Sequence, residues 1–286
     1  CIVPYTRGRE ISKSCDEVLG EVERLVNAGV REVTLLGQNV NRYGIGSKGY
    51  PAFHELLAMV SENKGLQRLR FLTSHPADCT DELVRAFGKV PKLCPYLHFP
   101  LQAGSDRILA KMNRRYSFEH YLRRVELARR VDPAIHLSTD LIVGFPGETD
   151  ADFEATLHAA RTIKWGSAYS FKYSPRPGTA AAKLADDVPG EVKKSRLSQL
   201  QAILYAGMTE ALRAHVGKEA DVLVEARRVY EAQDETRVQL TGRTATNYVA
   251  NFPCPENGDD LVGKLIRVRI TGARTHSLIG EKIGGP

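Results

Sequence analysis

The chain has 286 residues, 42% of them hydrophobic and 26% charged, enough apolar material for one large core and a second small one. No apolar run is long enough to cross a bilayer and no charged-then-apolar leader is visible, so neither membrane insertion nor secretion is signalled and a cytoplasmic location is expected. The net charge of +6 is modest and lies ahead of residue 187, with 26 Lys/Arg against 21 Asp/Glu there and 14 against 13 beyond, so charge alone does not specify a nucleic-acid partner.

Short β-branched runs alternate with amphipathic stretches up to about Ser174, the pattern of repeated βα units around a parallel sheet. Strands are predicted at Glu32 to Leu36, Leu69 to Thr73, Tyr96 to Leu101, Ile135 to Gly144 and Ser167 to Tyr173. Helices are predicted near Ser14 to Ala28, Ala52 to Asn63, Thr80 to Lys89, Phe118 to Arg130 and Thr149 to Ile163, with Ser117 and Asp81 as helix starts. Ser174 to Thr179 breaks the pattern, and Pro189 opens a long helix to about His215 that reads as a connector. From Lys218 the period falls to two: Ala220 to Ala226, Arg237 to Thr241, Tyr248 to Asn251, Leu265 to Thr271 and Ser277 to Ile283 suggest a small β-barrel. The expected division is a (βα) barrel over 1–186, a connecting helix over 187–217 and a β-barrel over 218–286.

Polar and glycine-bearing residues gather after the strands: Gly37-Gln38-Asn39, Ser74-His75-Pro76, Gln102-Ala103-Gly104-Ser105 and Gly144-Phe145-Pro146-Gly147-Glu148. In a parallel barrel the loops at the carboxyl ends of the strands share one mouth, which places a site there. Any single turn of this kind is explained by backbone geometry alone; four, each with a hydrogen-bonding side chain, favour a site. His75 and His98 lack a local metal-binding spacing or carboxylate partner and read as structural, while Glu148 reads as a helix cap. The five cysteines, Cys1, Cys15, Cys79, Cys94 and Cys254, are scattered and form no disulfide framework.

Seven strings go further. Cys1 to Glu10, Leu35 to Asn41, Thr73 to Pro76, Leu97 to Asp106, Lys111 to Arg114, Asp140 to Glu148 and Ser174 to Thr179 resemble, in order and spacing, the radical S-adenosylmethionine methylthiotransferases, and Gly37-Gln38-Asn39-Val40-Asn41 resembles their tRNA-modifying branch. Leu240 to Thr244 with Asn247 to Phe252 is similar to that family's terminal TRAM domain, an RNA-binding β-barrel. The resemblance implies an α/β fold, a partial parallel (βα) barrel followed by a small all-β barrel. It also implies a 4Fe-4S cluster (two in the whole protein), S-adenosylmethionine, and a methylthio group added to C2 of N6-isopentenyladenosine beside the anticodon of tRNA. A relative acting on threonylcarbamoyladenosine or a ribosomal protein, and a non-catalytic RNA-binding module, are the alternatives. An electron donor such as flavodoxin or ferredoxin and a monomeric state are expected.

By position, the resemblance makes Cys1 the last thiolate of a CxxxCxxC cluster loop, with the other two cysteines, a barrel strand and an amino-terminal cluster domain expected upstream, so that this piece alone is expected to be inactive. It points to Gln38 and Asn39 for the methionine amino group, Ser74, Gln102 and Ser138 for methionyl and ribose contacts, and Val143, Gly144 and Phe145 for the adenine. Against these, Ser74 and Gln102 are also what strand ends use to satisfy backbone groups, and Phe145 suits a core. In the second barrel Arg243, Arg267 and Arg269 supply cations and Tyr248 a ring for RNA, although alternating Arg267 and Arg269 also suit a solvated face.

Overall fold

The computed structural model describes residues 6, 8, 10–72, 74–232, 235–254 and 258–283, and the side chains among these except at 231, 232, 235 and 236. Ser14 starts the first helix, α1 (Cys15–Asn27): its hydroxyl accepts from Glu17 N while its own N–H reaches the Glu17 carboxylate at 2.7 Å, a reciprocal cap. There follow β1 (Glu32–Leu35), α2 (Phe53–Ser61), β2 (Arg68–Phe71), α3 (Asp81–Lys89), β3 (Tyr96–His98), α4 (Asp106–Lys111), α5 (Phe118–Val131), β4 (His136–Val143), α6 (Asp150–Ile163) and β5 (Ser167–Lys172). α3 is capped by Thr80, one residue before the expected Asp81, and α5 by Ser117 as expected.

β1 pairs in parallel with β2, and β3, β4 and β5 form a parallel trio. A parallel bridge between Leu69 and Leu93, with Leu69 N–H donating to Lys92 O at 2.8 Å and Cys94 N–H to Leu69 O at 2.9 Å, joins the two groups. Five strands thus run in chain order as the arc of a partial barrel. The arc's outward side chains meet the helices in one core in which Phe71, Leu97, Leu101, Tyr121 and Trp165 are fully buried. Trp165 Nε1 donates to the Tyr121 hydroxyl at 3.0 Å, which donates to Phe99 O at 2.7 Å, so the polar groups of these two rings are satisfied.

Gly104 lets α6 approach: a Cβ there would sit 2.3 Å from Ala155 O and 2.6 Å from Ala155 C, both backbone atoms. Gly104→Ala is expected to cost about 1–3 kcal/mol through overpacking, read as a lower urea midpoint with an unchanged slope.

α7 (Gly190–Arg213) begins after Pro189 and buries Arg196, Leu200, Leu204, Met208 and Leu212 along one line. Leu200 and Leu204 belong to the first core and Leu212 to the second, so the expected connector is a shared structural element. The second unit is a closed barrel of β6 (Glu219–Ala232), β7 (Glu235–Thr244), β8 (Val249–Pro253), β9 (Leu265–Ala273) and β10 (Ser277–Lys282), in the order β10-β8-β7-β6-β9. Val222, Val224, Leu240, Phe252, Val268 and Leu278 fill it, each with an exposed or half-exposed neighbour in sequence. β6 and β7 run longer than expected. Past an irregularity between Val224 and Ala226 they continue to the pairing of Ala232 with Glu235, and Val229 and Tyr230 along this extension are exposed.

The barrels meet where the β7–β8 turn reaches the amino-terminal ends of the parallel strands. Arg68 donates to Arg243 O and Asp221 O at 2.8 and 2.6 Å, and Arg70 to Ala245 O and Thr244 O, both at 2.8 Å. Glu32 accepts from Arg70 Nε at 2.9 Å. His136 Nδ1 donates to Thr246 O at 2.5 Å and its ring stacks on Tyr248, centroids 4.2 Å apart.

Candidate active site and nucleic-acid interface

The loops after β1 and β2 are tied together. Asn39 Nδ2 donates to Asp78 Oδ2 at 2.6 Å; Asn41 Nδ2 donates to His75 O at 3.0 Å, and His75 N–H returns to Asn41 Oδ1 at 2.8 Å. This holds Gln38 exposed at the rim and leaves two buried oxygens without a hydrogen-bond partner, Asn39 Oδ1 and Ser74 Oγ. Orphaned polar atoms at a strand mouth are an invitation to a polar ligand. Burial is the main influence lowering the pKa of His75, which keeps its ring uncharged at neutral pH beside these atoms.

Gln102 holds φ at +75°, a region that costs a glutamine about 1–3 kcal/mol. Its N–H donates to Asp140 O and its C=O accepts from Ile142 N–H, both at 2.8 Å, so β4 holds the strained residue in place and its side chain is buried. Ser138, in mid-β4, is already engaged: its Oγ lies 3.0 Å from the Tyr96 hydroxyl and 2.8 Å from His98 Nδ1. Gly144 has φ +70° and donates its N–H to Glu148 Oε2 at 2.7 Å, but a Cβ there would meet Lys193 Cγ at 2.3 Å, so its open side faces α7. Val143 is fully buried, and Phe145 is buried edge-on against Tyr173 at 5.0 Å. Both side chains are thus engaged in packing in this structure.

Two further expectations change. His98 does have a carboxylate, Asp140, whose Oδ2 is 3.5 Å from Nε2. Glu148 does not cap α6: Thr149 does, in a capping box with Asp152, while Glu148 pairs with Arg196 at 2.8 Å in a buried ion pair. Its carboxyl sits above the ordinary range because burial outweighs the bonds from Gly144 and Arg196.

Strand register shows a surface that sequence reading missed. His98 lies opposite Ser138 and Ser138 opposite Ser167, while Asp140 pairs with Tyr169 and Ile142 with Phe171, so all share the concave face. Tyr169 and Phe171 are 57% and 52% exposed there. Their period-two spacing on the final strand was the available signal.

The described thiols do not gather. Cys79 and Cys94 are buried, which pushes Cys79 up to about 12 and Cys94 in the same direction, so both stay protonated. Among the described residues no group of His, Cys, Asp and Glu is placed to hold a metal ion, and Cys1 lies outside them. The described loops fit the amino-acid end of a cofactor through Asn39 and Ser74; they do not supply a ligand set for an iron–sulfur cluster.

In the second barrel the expected cations are paired. Arg267 meets Glu219 at 3.3 Å and Asp221 at 3.0 Å, Arg269 meets Glu219 at 3.2 Å, and Arg243 Nε lies 3.2 Å from Glu225. Tyr248 is 8% exposed and stacked on His136, so it is not an open platform for a base; burial raises its hydroxyl to about 12. That contact spans the two barrels and could not be read from either alone.

A radical SAM superfamily profile matches residues 1–160 and a TRAM domain profile residues 213–283. The chain is 48% identical over 282 residues to the tRNA-2-methylthio-N(6)-dimethylallyladenosine synthase of Syntrophomonas wolfei subsp. wolfei, covering 98% of this chain and 61% of that protein. It is 47% identical over 284 residues to the synthase of the same name from Cereibacter sphaeroides, covering 99% and 62%. It thus spans about three fifths of the length of these curated relatives. Among solved structures, the radical S-adenosylmethionine methyltransferase TsrM of Kitasatospora setae superposes with a TM-score of 0.51 at 18% identity, covering 61% of this chain and 34% of that one, a likeness of fold. With a parallel arc of βα units, polar loops at one mouth and a family profile over more than half its length, the chain belongs to the radical SAM superfamily.

Proposed function

We propose that this chain is the radical and RNA-binding part of a tRNA methylthiotransferase that adds a methylthio group to C2 of N6-isopentenyladenosine beside the anticodon. The observation that carries the reading is near-half identity to synthases of that modification over 98% of the chain. S-adenosylmethionine and a 4Fe-4S cluster, when bound, supply the one-electron chemistry. The chain's own residues bind and orient. Asn39 Oδ1 accepts from the cofactor's ammonium group, Ser74 Oγ engages its amino-acid end, and the strained Gln102 fixes the loop beside them. A second cluster held outside this chain, a flavodoxin- or ferredoxin-like electron donor, a cytoplasmic location and a monomeric state complete the proposal.

The test uses the full-length protein, reconstituted anaerobically with iron, sulfide and S-adenosylmethionine and given tRNA bearing isopentenyladenosine. Methylthiolated nucleoside in the digest is expected. Its absence, or product only with tRNA bearing threonylcarbamoyladenosine, overturns the assignment. Asn39→Ala and Ser74→Ala are each expected to weaken S-adenosylmethionine binding about tenfold, the scale of one lost hydrogen bond to a charged group, measured by calorimetry.

A further inference from the structure

The polar network between the two barrels is unusually well buried for charged groups. Arg68 and Arg70 are 5% and 4% exposed, yet each spends its guanidinium on two backbone carbonyls of the other barrel, 153 to 175 residues away in sequence. Glu32 sits between them, 2.9 Å from Arg70 and 3.7 Å from Arg68, and balances part of their charge. The carbonyls belong to residues 221 and 243–245, on β6 and at the β7–β8 turn, so the arginines read the backbone of the second barrel and not its side chains. A forked, planar donor suits this task and a lysine ammonium does not. Gly166 makes room beside it: a Cβ there would fall 2.5 Å from His136 Cδ2 and 2.6 Å from the Tyr248 hydroxyl.

All of these groups stand at the amino-terminal ends of the parallel strands. The mouth loops with Asn39, Ser74 and Gln102 stand at the other end, and eight-residue β4 alone separates the two by about 23 Å. A hinged second barrel would let RNA bind without delivering a base to the mouth.

We propose that Glu32, Arg68 and Arg70 are positioning residues that lock the RNA-binding barrel to the end of the partial barrel opposite the mouth, so that bound tRNA must bridge the strands' length and is aimed by this lock. The inference rests on the functional reading above for its substrate, not for the lock itself.

The test compares full-length wild type with Arg70→Lys, which keeps the charge and loses the fork, and with Gly166→Ala, which wedges the junction while leaving both arginines in place. In each variant, amide exchange of residues 244–248 is expected to speed up at least tenfold. The kcat/KM for tRNA methylthiolation is expected to fall at least tenfold, mainly through KM, while cleavage of S-adenosylmethionine without tRNA is unchanged. Unchanged exchange in both variants overturns the lock. Loss of cofactor cleavage in parallel with methylthiolation overturns the positioning role. If wild type methylthiolates no tRNA, the functional reading fails, while the exchange measurement still decides the lock.

Discussion

Replacing Arg196 by methionine is expected to lower the stability of the chain by about 3–5 kcal/mol, the cost of removing one partner from a buried ion pair. The substitution keeps an apolar stem of similar reach against Phe153, whose ring lies 5.5 Å from the guanidinium, so most of the loss is electrostatic. Glu148, with a 1% exposed side chain, would keep only the Gly144 N–H as a partner for its charge. The second ion pair of Arg196, to the almost fully exposed Asp150, adds little. The sign with pH follows. Burial already raises Glu148 above its reference of 4.5, and losing Arg196 raises it further. A carboxyl raised in the folded state favours folding below its unfolded pKa and loses that contribution as pH rises through the folded value. The deficit of Arg196→Met is therefore largest at neutral pH and shrinks toward pH 5. Urea unfolding of both proteins at pH 5, 6 and 7.5 measures it, and a pH-independent deficit would contradict the argument.

Acidification is expected to weaken the junction between the barrels through His136. Burial depresses this imidazole to about 4 from 6.5, with the bond to Thr246 only partly opposing the shift. Nδ1 donates to Thr246 O and Nε2 lies 2.8 Å from the Ser167 hydroxyl, an arrangement that uses the neutral ring as donor and acceptor at once. A depressed histidine contributes stability that is complete above its unfolded pKa and is lost as pH falls through the folded one, so the window is pH 6.5 to about 4. The depression corresponds to roughly 3 kcal/mol at the 1.36 kcal/mol per pKa unit that relates the two. Comparing unfolding free energies of wild type and His136→Gln across that window isolates this residue: the variant is expected to start less stable and to lose less on acidification. Parallel curves would place the acid sensitivity elsewhere.

The order of βα units and the small β-barrel were legible because their patterns are local. Residue periods of 3.6 and 2, Ser117 before α5 and the Gly-rich strand ends all act within a few positions. α4 escaped, since six residues from Asp106 to Lys111 are too few to show a helical period. The site divided along the same line. Asn39 and Ser74 stand in polar turns at strand ends and are singled out by the family resemblance, and the structure leaves their oxygens without partners. The partner of His98 is 42 residues distant and comes into reach only through the pairing of β3 with β4. Tyr248 looked available for RNA because its companion, His136, lies in the other barrel, 112 positions earlier. Glu148 looked like a cap because it adjoins α6, but the cap position belonged to Thr149, which is extended and within 3.3 Å of Asp152 N.

α7 carries a practical implication. Leu200 and Leu204 on one stretch of the helix and Leu212 on the next serve different interiors, so a cut ahead of Leu200 strips cover from the first and a cut beyond Leu212 strips it from the second. Expression boundaries at either end of the helix would leave one fragment with a bare greasy stripe, a boundary within residues 205–211 would sever the helix itself, and the two halves are best produced as one polypeptide.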